Sequence, residues 1–200
     1  MKQLTQFVLS GLLALVLGGC ASEPSHFYTL NAAAKSNGAP SVNCSVIVGP
    51  VFIPAAVNRP EFVLTVATNQ VEFNEFNRWD APLEDGIARA VSTDLGVLLG
   101  TTRVTVGPMP YFGPAYQVAI RVERFESVPG KGKQNGEALV DALWAVRGPA
   151  GQDAGSGRTT AREPVQGKGF EALAAAYGQG LARLSSDIAE AIRVDAGKMP

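Results

Sequence analysis

The sequence predicts a single-domain α+β sandwich in which a mostly antiparallel sheet carries two main helices packed on one face. Several short segments alternate apolar and polar residues or are rich in β-branched residues, as half-buried strands are. Two longer segments repeat apolar residues at helical spacing, one in the middle of the chain and one at its end. Their order, β-β-β-α-β-β-β-β-α after a short opening strand, places both helices beside one sheet.

The first predicted strands lie before the first helix. Between the opening strand and the next one, residues 31–41 are rich in Ala, Ser, Asn and Gly and are interpreted as a linker. The pair Asn69-Gln70 predicts a hairpin turn between two later strands. The strands of this half are predicted at residues 27–30, 42–51, 62–66 and 71–76.

The first helix is predicted to end at Gly100, which supplies a C-terminal stop. Asp80 is a good N-cap, and Pro82 suits the first turn. Acidic residues at 84 and 85 lie near the positive end of the helix dipole. One apolar face is formed by Leu83, Ile87, Val91, Leu95 and Leu98.

Four strands and a second helix are predicted after Gly100. Phe125 breaks the alternation of its strand, which predicts a β-bulge or a change of face. Residues 148–157 are predicted to form the longest polar loop. Gly178 and Gly180 either weaken the last helix locally or permit close packing. The strands are predicted at residues 103–106, 116–122, 138–147 and 158–166, and the helix at about 170–194.

Composition argues against several classes of protein. The 200 residues carry 17 Lys and Arg against 18 Asp and Glu, so the chain lacks the basic surplus of a nucleic-acid-binding protein. One His and two Cys leave too few ligands for a common zinc site and disfavour a His-dependent triad. We therefore expect no metal, no catalytic residues and no enzyme activity. Cys44, in an apolar segment, is interpreted as a small buried residue rather than a reactive thiol.

The N-terminus has the pattern of a bacterial lipoprotein signal. Lys2 precedes an uncharged apolar run that is too short to span a bilayer. The following Leu17-Gly18-Gly19-Cys20 resembles a lipobox, in which the cysteine receives a diacylglycerol and an N-acyl chain such as palmitate. These covalent chains on Cys20 are the only attached groups that we expect, and no cofactor is predicted.

The lipobox divides the chain into a cleaved signal peptide (1–19), a lipid-anchored tether (20–26) and a single domain (27–200). When fully extended, residues 21–26 reach about 20 Å at ~3.3 Å per residue, so the domain is expected close to its membrane. Ala21 and Ser22 follow the cysteine. By resemblance to enterobacterial lipoproteins, the absence of Asp there implies the outer membrane, with the domain facing the periplasm.

Segments along nearly the whole domain resemble one known family. They are Phe27-Tyr28-Thr29-Leu30; Val48-Gly49-Pro50-Val51 with Pro54, Asn58-Arg59-Pro60 and Phe62-Val63; Phe76-Asn77-Arg78-Trp79-Asp80-Ala81-Pro82-Leu83; and residues 181–189. The chain resembles the ABC-type transport auxiliary lipoproteins, also called PqiC- or YmbA-like proteins. The resemblance implies a non-catalytic role beside an envelope system that moves lipids between two membranes. Its implied partners are a periplasmic MCE-domain protein and the ABC transporter of that system.

Seven residues are candidates for contact with a partner or a membrane. The apolar loop with Phe52 and Ile53, which continues to Arg59, either folds back over the sheet or presents an apolar surface. Trp79 either staples the helix to the sheet, with Arg78 packing on an aromatic ring or capping carbonyls, or contacts lipid. Tyr111 and Phe112, on a turn framed by Pro and Gly, are candidates for an exposed aromatic tip.

Three functions are compatible with these observations. The leading hypothesis is a non-enzymatic outer-membrane lipoprotein that docks or completes an MCE-type lipid conduit. The alternative is a regulatory lipoprotein that activates a cell-envelope enzyme, and the third is a carrier with its own lipid pocket. The sequence leaves open whether the chain forms a homo-oligomer.

Overall fold

A computed structural model describes residues 23–67, 69–109, 112–130 and 136–198. The elements follow the predicted order, with a short strand before the rest. The strands are β1 (His26–Tyr28), β2 (Val46–Phe52), β3 (Glu61–Ala67), β4 (Gln70–Trp79), β5 (Val104–Val106), β6 (Tyr116–Val128), β7 (Glu137–Arg147) and β8 (Asp153–Pro164), and the helices are α1 (Leu83–Leu99) and α2 (Gly169–Ala196).

The eight strands form one mixed, curled sheet, and β6 is its branch point. One edge of β6 pairs along its length with β7, which pairs in turn with β8. Its other partners are β2, along its first half, and β3, at Leu64 opposite Ser127. Beyond these strands lie β5 on one side, and β4 followed by β1 on the other.

The prediction of a mostly antiparallel sheet is wrong. Four strand pairs of the described chain are parallel, namely β1–β4, β2–β5, β2–β6 and β3–β6, and three are antiparallel. Hairpins account for the antiparallel pairs, because neighbours joined by a short turn must reverse direction. The parallel pairs join strands that are distant in sequence, which the spacing of apolar residues does not determine.

Of the two interpretations of Phe125, a bulge or a change of face, the structure shows a bulge in β6. The register between β6 and β7 shifts between Val122 and Arg124. This shift returns Phe125 to the buried face, where its ring stacks on Tyr177 of α2 with centroids 4.0 Å apart. The extra residue therefore allows one long strand to keep both of its ends on the core.

Both helices pack on one face of the sheet and against each other. Helix α1 contacts β2 and β5, and α2 contacts β7 and β8. Gly180 permits close approach of α2 to the sheet, because a Cβ there would lie 2.7 Å from Val140 Cγ2. This close contact supports the packing interpretation of Gly180.

Two boundary predictions need correction. Helix α1 begins after Pro82, which makes no side-chain capping bond. Asp80 is not the N-cap, because its carboxylate accepts a 2.8 Å hydrogen bond from Thr29 Oγ1 instead. Strand β8 begins at Asp153, inside the segment predicted as the longest loop, since its antiparallel ladder with β7 extends beyond the apolar residues.

The segment interpreted as a linker is packed along the helix layer. The buried Asp94 carboxylate of α1 accepts hydrogen bonds from the backbone N–H groups of Ala33 (2.9 Å) and Ala34 (2.8 Å). It also accepts one from Ser185 Oγ of α2 at 3.3 Å. Near the other end of the segment, Arg193 of α2 donates to the Pro40 carbonyl. These bonds hold the N-terminal segment to both helices.

Candidate contact surface

The loop before β3 and the end of β4 meet at one place. Trp79 N donates a 2.8 Å hydrogen bond to the Pro60 carbonyl. Glu61 is in register with Arg78, and Arg78 Nη2 donates a 3.0 Å hydrogen bond to Glu61 Oε1. The fold therefore joins two segments that were singled out separately from the sequence.

Arg59 and Arg78 share one carboxylate. Arg59 Nε donates a 3.1 Å bond to Glu61 Oε2, while Arg78 binds the other oxygen. The hydrogen bond from Arg59 is the largest cause that lowers the pKa of Glu61. The Arg78 Nε atom is buried without a hydrogen-bond partner among the described residues. Glu61 is therefore the group that holds the Arg78 guanidinium, whereas the sequence predicted an aromatic ring or helix carbonyls in that role.

Arg59 also makes a cation–π contact with the Phe73 ring of β4. Its Cζ atom lies 3.6 Å from the centroid of the Phe73 ring. Phe73 remains 47% exposed. Strand alternation places Phe73 on the outer face of the sheet, opposite Phe62 and the helices. An exposed aromatic ring stacked on an arginine was not predicted, because the contact depends on β4 pairing with β3.

Trp79 lies in the core and is not available for a partner or lipid contact. It is 6% exposed and stacks on Phe62 with centroids 4.0 Å apart. Its ring also meets the edges of Phe125 and Tyr177. Trp79 thus links β3, β6 and α2 at the start of α1, which agrees with the interpretation of this residue as a staple.

The first strand is attached to the same place. Tyr28 Oη donates a 2.7 Å hydrogen bond to Asn77 Oδ1, and Asp80 N donates a 3.0 Å bond to the Tyr28 carbonyl. The Tyr28 ring packs edge-on against Phe62. Phe27 points the other way, in register with Arg78 on the outer face, and is 64% exposed. Residues of the segments that carry the family resemblance therefore hold β1 in place. We call this site, formed by Phe62, Asn77, Arg78 and Asp80, the seat of β1.

The loop after β2 is partly folded and partly exposed. Its turn closes through bonds from Val57 N and Asn58 N to the Pro54 carbonyl, and Val57 is buried. Ile53 is half-buried. Phe52 is 51% exposed, and the Arg121 guanidinium carbon lies 5.3 Å from its ring centroid. Each sequence interpretation thus describes one part of this loop.

The remaining candidates lie elsewhere. Cys20 and Tyr111 lie outside the described residues. Phe112 is half-buried, and its carbonyl accepts a 3.1 Å bond from Arg103 Nη2. Cys44 is buried, and burial raises the pKa of its thiol. Phe112 is therefore fixed by Arg103 and lies apart from the Arg59–Glu61–Arg78 cluster.

Two features of the described residues bear on chemistry and membrane topology. Across residues 23–67, 69–109, 112–130 and 136–198, no group of three or more His, Cys, Asp or Glu side chains could hold a metal ion. Among the helices of this part of the chain, none is both long and apolar enough to cross a membrane.

The family model of the ABC-type transport auxiliary lipoprotein component matches residues 28–189. The chain belongs to this family. The match extends from Tyr28, the last residue of β1, through most of α2 and includes the residues that hold β1 in place. Membership associates this auxiliary lipoprotein with a transport system of the cell envelope.

Solved structures share the fold of this auxiliary lipoprotein. A Xanthomonas campestris protein of the DUF330 family is 17% identical, with a TM-score of 0.69 over 86% of this chain and 100% of that chain. A second, uncharacterised protein is 19% identical, with a TM-score of 0.65 over 85% of this chain and 99% of that chain. At this identity the similarity concerns the fold alone. No curated protein matches the sequence significantly.

Proposed function

We propose that this auxiliary lipoprotein is a non-enzymatic component of the outer membrane that docks an MCE-domain lipid conduit and its ABC transporter. The observation that carries the proposal is the seat of β1. The family segments hold β1, at the end of the tether, against the rest of the domain, so the short tether limits how far the domain can lie from its lipid anchor. A position close to the membrane is what a docking component needs. Family membership supports a transport role without catalysis.

The tether adds a length limit to this proposal. Residues 21–26 reach about 20 Å when fully extended at ~3.3 Å per residue, so the domain stays near the membrane that holds Cys20. A partner that reaches this membrane from the periplasm would meet the domain there. A target beyond the peptidoglycan would require a longer tether.

The outer face of the sheet offers a surface for this partner. Phe52, Arg121 and Leu143 are in register across β2, β6 and β7. Both Phe52 and Leu143 are exposed, and the Arg121 guanidinium lies over the Phe52 ring. Aromatic and arginine side chains are enriched where proteins bind one another tightly. We assign Phe52 to the partner contact, with Ile53 beside it in the chain.

Affinity capture tests the function. Full-length protein with Cys20 intact, captured from membranes, is expected to recover an MCE-domain protein. Phe52→Ser with Leu143→Ser should reduce that recovery. Val97→Ser with Val106→Ser, which alters two exposed valines outside this row, should not. Recovery of peptidoglycan synthases instead of MCE-domain proteins would contradict the proposal and favour the regulatory alternative.

The tether and the membrane assignment need separate experiments. Insertion of about 20 flexible residues after Ser22 should reduce the recovery of the MCE-domain protein, because the domain would no longer be held near the membrane. Unchanged recovery with this variant would contradict a docking role close to the membrane. Density-gradient separation of the two membranes is expected to place the protein in the outer membrane.

An apolar groove gives the carrier hypothesis one specific observation. The groove has a volume of about 440 Å³ and opens where β3 leaves β6. Its lining includes Leu64, Val128, Phe170 and Leu173. Mass spectrometry of the purified protein tests this second function. Noncovalently bound lipid would support a carrier, and its absence would count against one.

A further inference from the structure

A second part of the outer face forms a continuous patch next to the tether. Phe27 is in register with Arg78, Arg78 binds Glu61, Glu61 binds Arg59, and Arg59 covers the Phe73 ring. Val71 lies on the same face of β4 as Phe73, two residues earlier in the strand. We call these six residues the anchor-proximal patch. Three of them, Phe27, Val71 and Phe73, are large apolar side chains that remain exposed.

We propose that the anchor-proximal patch rests on the surface of the membrane that carries the lipid anchor. Phe27 and Phe73 lie at the depth of the headgroups, and Arg59 and Arg78 face the lipid phosphates. This inference rests on the acylated Cys20 of the proposed function. It adds a second membrane contact, made by the folded domain itself.

The length of the tether is the first argument for a membrane as the occupant. Phe27 is the seventh residue after Cys20 and can lie no more than about 23 Å from it at ~3.3 Å per residue. The position of Phe27 within the domain is fixed, because β1 is bonded to β4 and Tyr28 is bonded to Asn77. The Phe27 end of the patch therefore cannot move far from the membrane while the anchor is inserted.

The chemistry of the patch is the second argument. Aromatic side chains are enriched at the boundary between lipid tails and water, where a ring can be buried beside polar groups. Two arginines and one glutamate leave one net positive charge in the patch. Arg59 and Arg78 keep donors that can bind phosphate oxygens, and guanidinium groups bind phosphate well. A lipid anchor gains stability when a second apolar contact reaches the same membrane.

Position-specific fluorescence in vesicles tests the inference. Val71 and Val194 form a matched pair, because both are valines and each is 49% exposed. Val194 lies on α2, on the other side of the sheet from the patch. Full-length lipidated V71C and V194C, each with an environment-sensitive label, are reconstituted into vesicles of phosphatidylethanolamine and phosphatidylglycerol. Cys44 is buried, and the parent protein gives the background labelling.

The readout is quenching by a spin-labelled phospholipid in the same vesicles. We expect the label at position 71 to be quenched at least twofold more than the label at position 194. Adding Phe27→Ser and Phe73→Ser to V71C should remove most of that difference. Both phenylalanines are exposed, so the variant should retain its fold, which a melting curve checks.

Three results would overturn the inference, and they separate it from the proposed function. Flotation with the vesicles but equal quenching at both positions would overturn the membrane contact alone. Protection of position 71 only after addition of an MCE-domain protein would assign the patch to that partner instead. Failure of the protein to float with vesicles would contradict the anchor, on which both the inference and the proposed function rest.

Discussion

Glu61 and Arg78 are in register across β3 and β4, with 3.0 Å between Glu61 Oε1 and Arg78 Nη2. The contact lies beside a long irregularity in β4, where the register moves from Asn74 opposite Phe62 to Arg78 opposite Glu61. Asn74 Oδ1 stabilises the irregularity by accepting bonds from Asn77 N and Nδ2. The Glu61–Arg78 ion pair thus lies where the register between β3 and β4 shifts, next to the residues of β4 that pair with β1.

Replacement of Glu61 by Gln should destabilise the protein. The change removes the charge that Arg59 and Arg78 share and leaves the partly buried Arg78 guanidinium without a counter-ion. We expect a lower midpoint of urea unfolding. The matched control is Glu126→Gln, whose partner Arg124 is more exposed, and its effect should be smaller. Equal midpoints for the two variants would show that Glu61 is only a surface charge.

Because the pKa of Glu61 is lowered in the fold, its contribution depends on pH. The folded carboxyl binds its proton at lower pH than the unfolded one, so the stabilisation is present above the unfolded pKa. It is lost as pH falls through the folded pKa. Urea midpoints of the parent protein and Glu61→Gln should therefore converge in acid. A difference that stays constant from neutral to acidic pH would contradict this explanation.

Replacement of Trp79 by Ala should cost about 3–5 kcal/mol of unfolding free energy, because it removes a buried ring from a stacked cluster. Phe73→Ala removes an exposed ring from the outer face and should cost about 1 kcal/mol or less. Urea unfolding followed by circular dichroism measures both values. Similar costs would mean that the aromatic cluster around Trp79 does not hold the end of β4.

Two helical glycines should respond to alanine with opposite signs. Gly180→Ala places a Cβ 2.7 Å from Val140 Cγ2 and should destabilise the protein, because the helix must move away from the sheet. Gly86→Ala meets only Leu30, with its nearest atom at 3.6 Å, and should stabilise by about 0.5–1 kcal/mol. Thermal melting of both variants tests this difference. A stabilising Gly180→Ala would refute the close packing of α2.

The Asp94 carboxyl should make stability depend on pH in the other direction. Burial is the largest cause that raises its pKa, against the bonds from Ala34, Ala33 and Ser185. The folded carboxyl therefore holds its proton to higher pH than the unfolded one, and its contribution falls as pH rises from roughly 4. Asp94→Asn keeps an acceptor for the two backbone N–H groups without the cost of burying a negative charge.

The comparison of Asp94→Asn with the parent protein measures that contribution. The variant should gain stability relative to the parent as pH rises from about 4 to 7. Asp94→Ala serves as the control, since it removes the acceptor and should destabilise at every pH. Urea unfolding at several pH values gives all three curves. If the Asn variant lost stability relative to the parent with rising pH, the assignment of burial as the main cause would be wrong.

Local sequence patterns were sufficient to predict the helices, most strands and the roles of two particular residues. The apolar stripe of α1 and its end at Gly100 follow from helical spacing and from the left-handed conformation that glycine adopts. The broken alternation at Phe125 predicted the bulge in β6. Trp79 was interpreted as a staple because it precedes a helix and follows a strand. Each of these features depends on residues that are close in sequence.

Contacts between distant segments could not be predicted in the same way. Asp80 was expected to cap α1, but β1 brings Thr29 to its carboxylate. Arg78 was expected on a ring or on carbonyls, but the pairing of β4 with β3 brings Glu61 to it. The outer-face position of Phe73 depends on the same pairing. One signal for the Glu61–Arg78 pair was present in the sequence: the two residues carry opposite charges and lie within two of the regions that resemble the family. Their spacing alone does not identify them as partners.

The sequence by itself determined the identity and order of the elements and their apolar faces, and it carries the lipobox pattern that predicts lipidation of Cys20, because these features depend on spacing within short segments. Tertiary structure decided which strands are parallel, where β1 is seated and which aromatic rings remain exposed. The physical reason is that strand partners are chosen by burial of the whole sheet face against α1 and α2. Strand pairing therefore depends on segments that are far apart in the chain, and local sequence patterns cannot predict it.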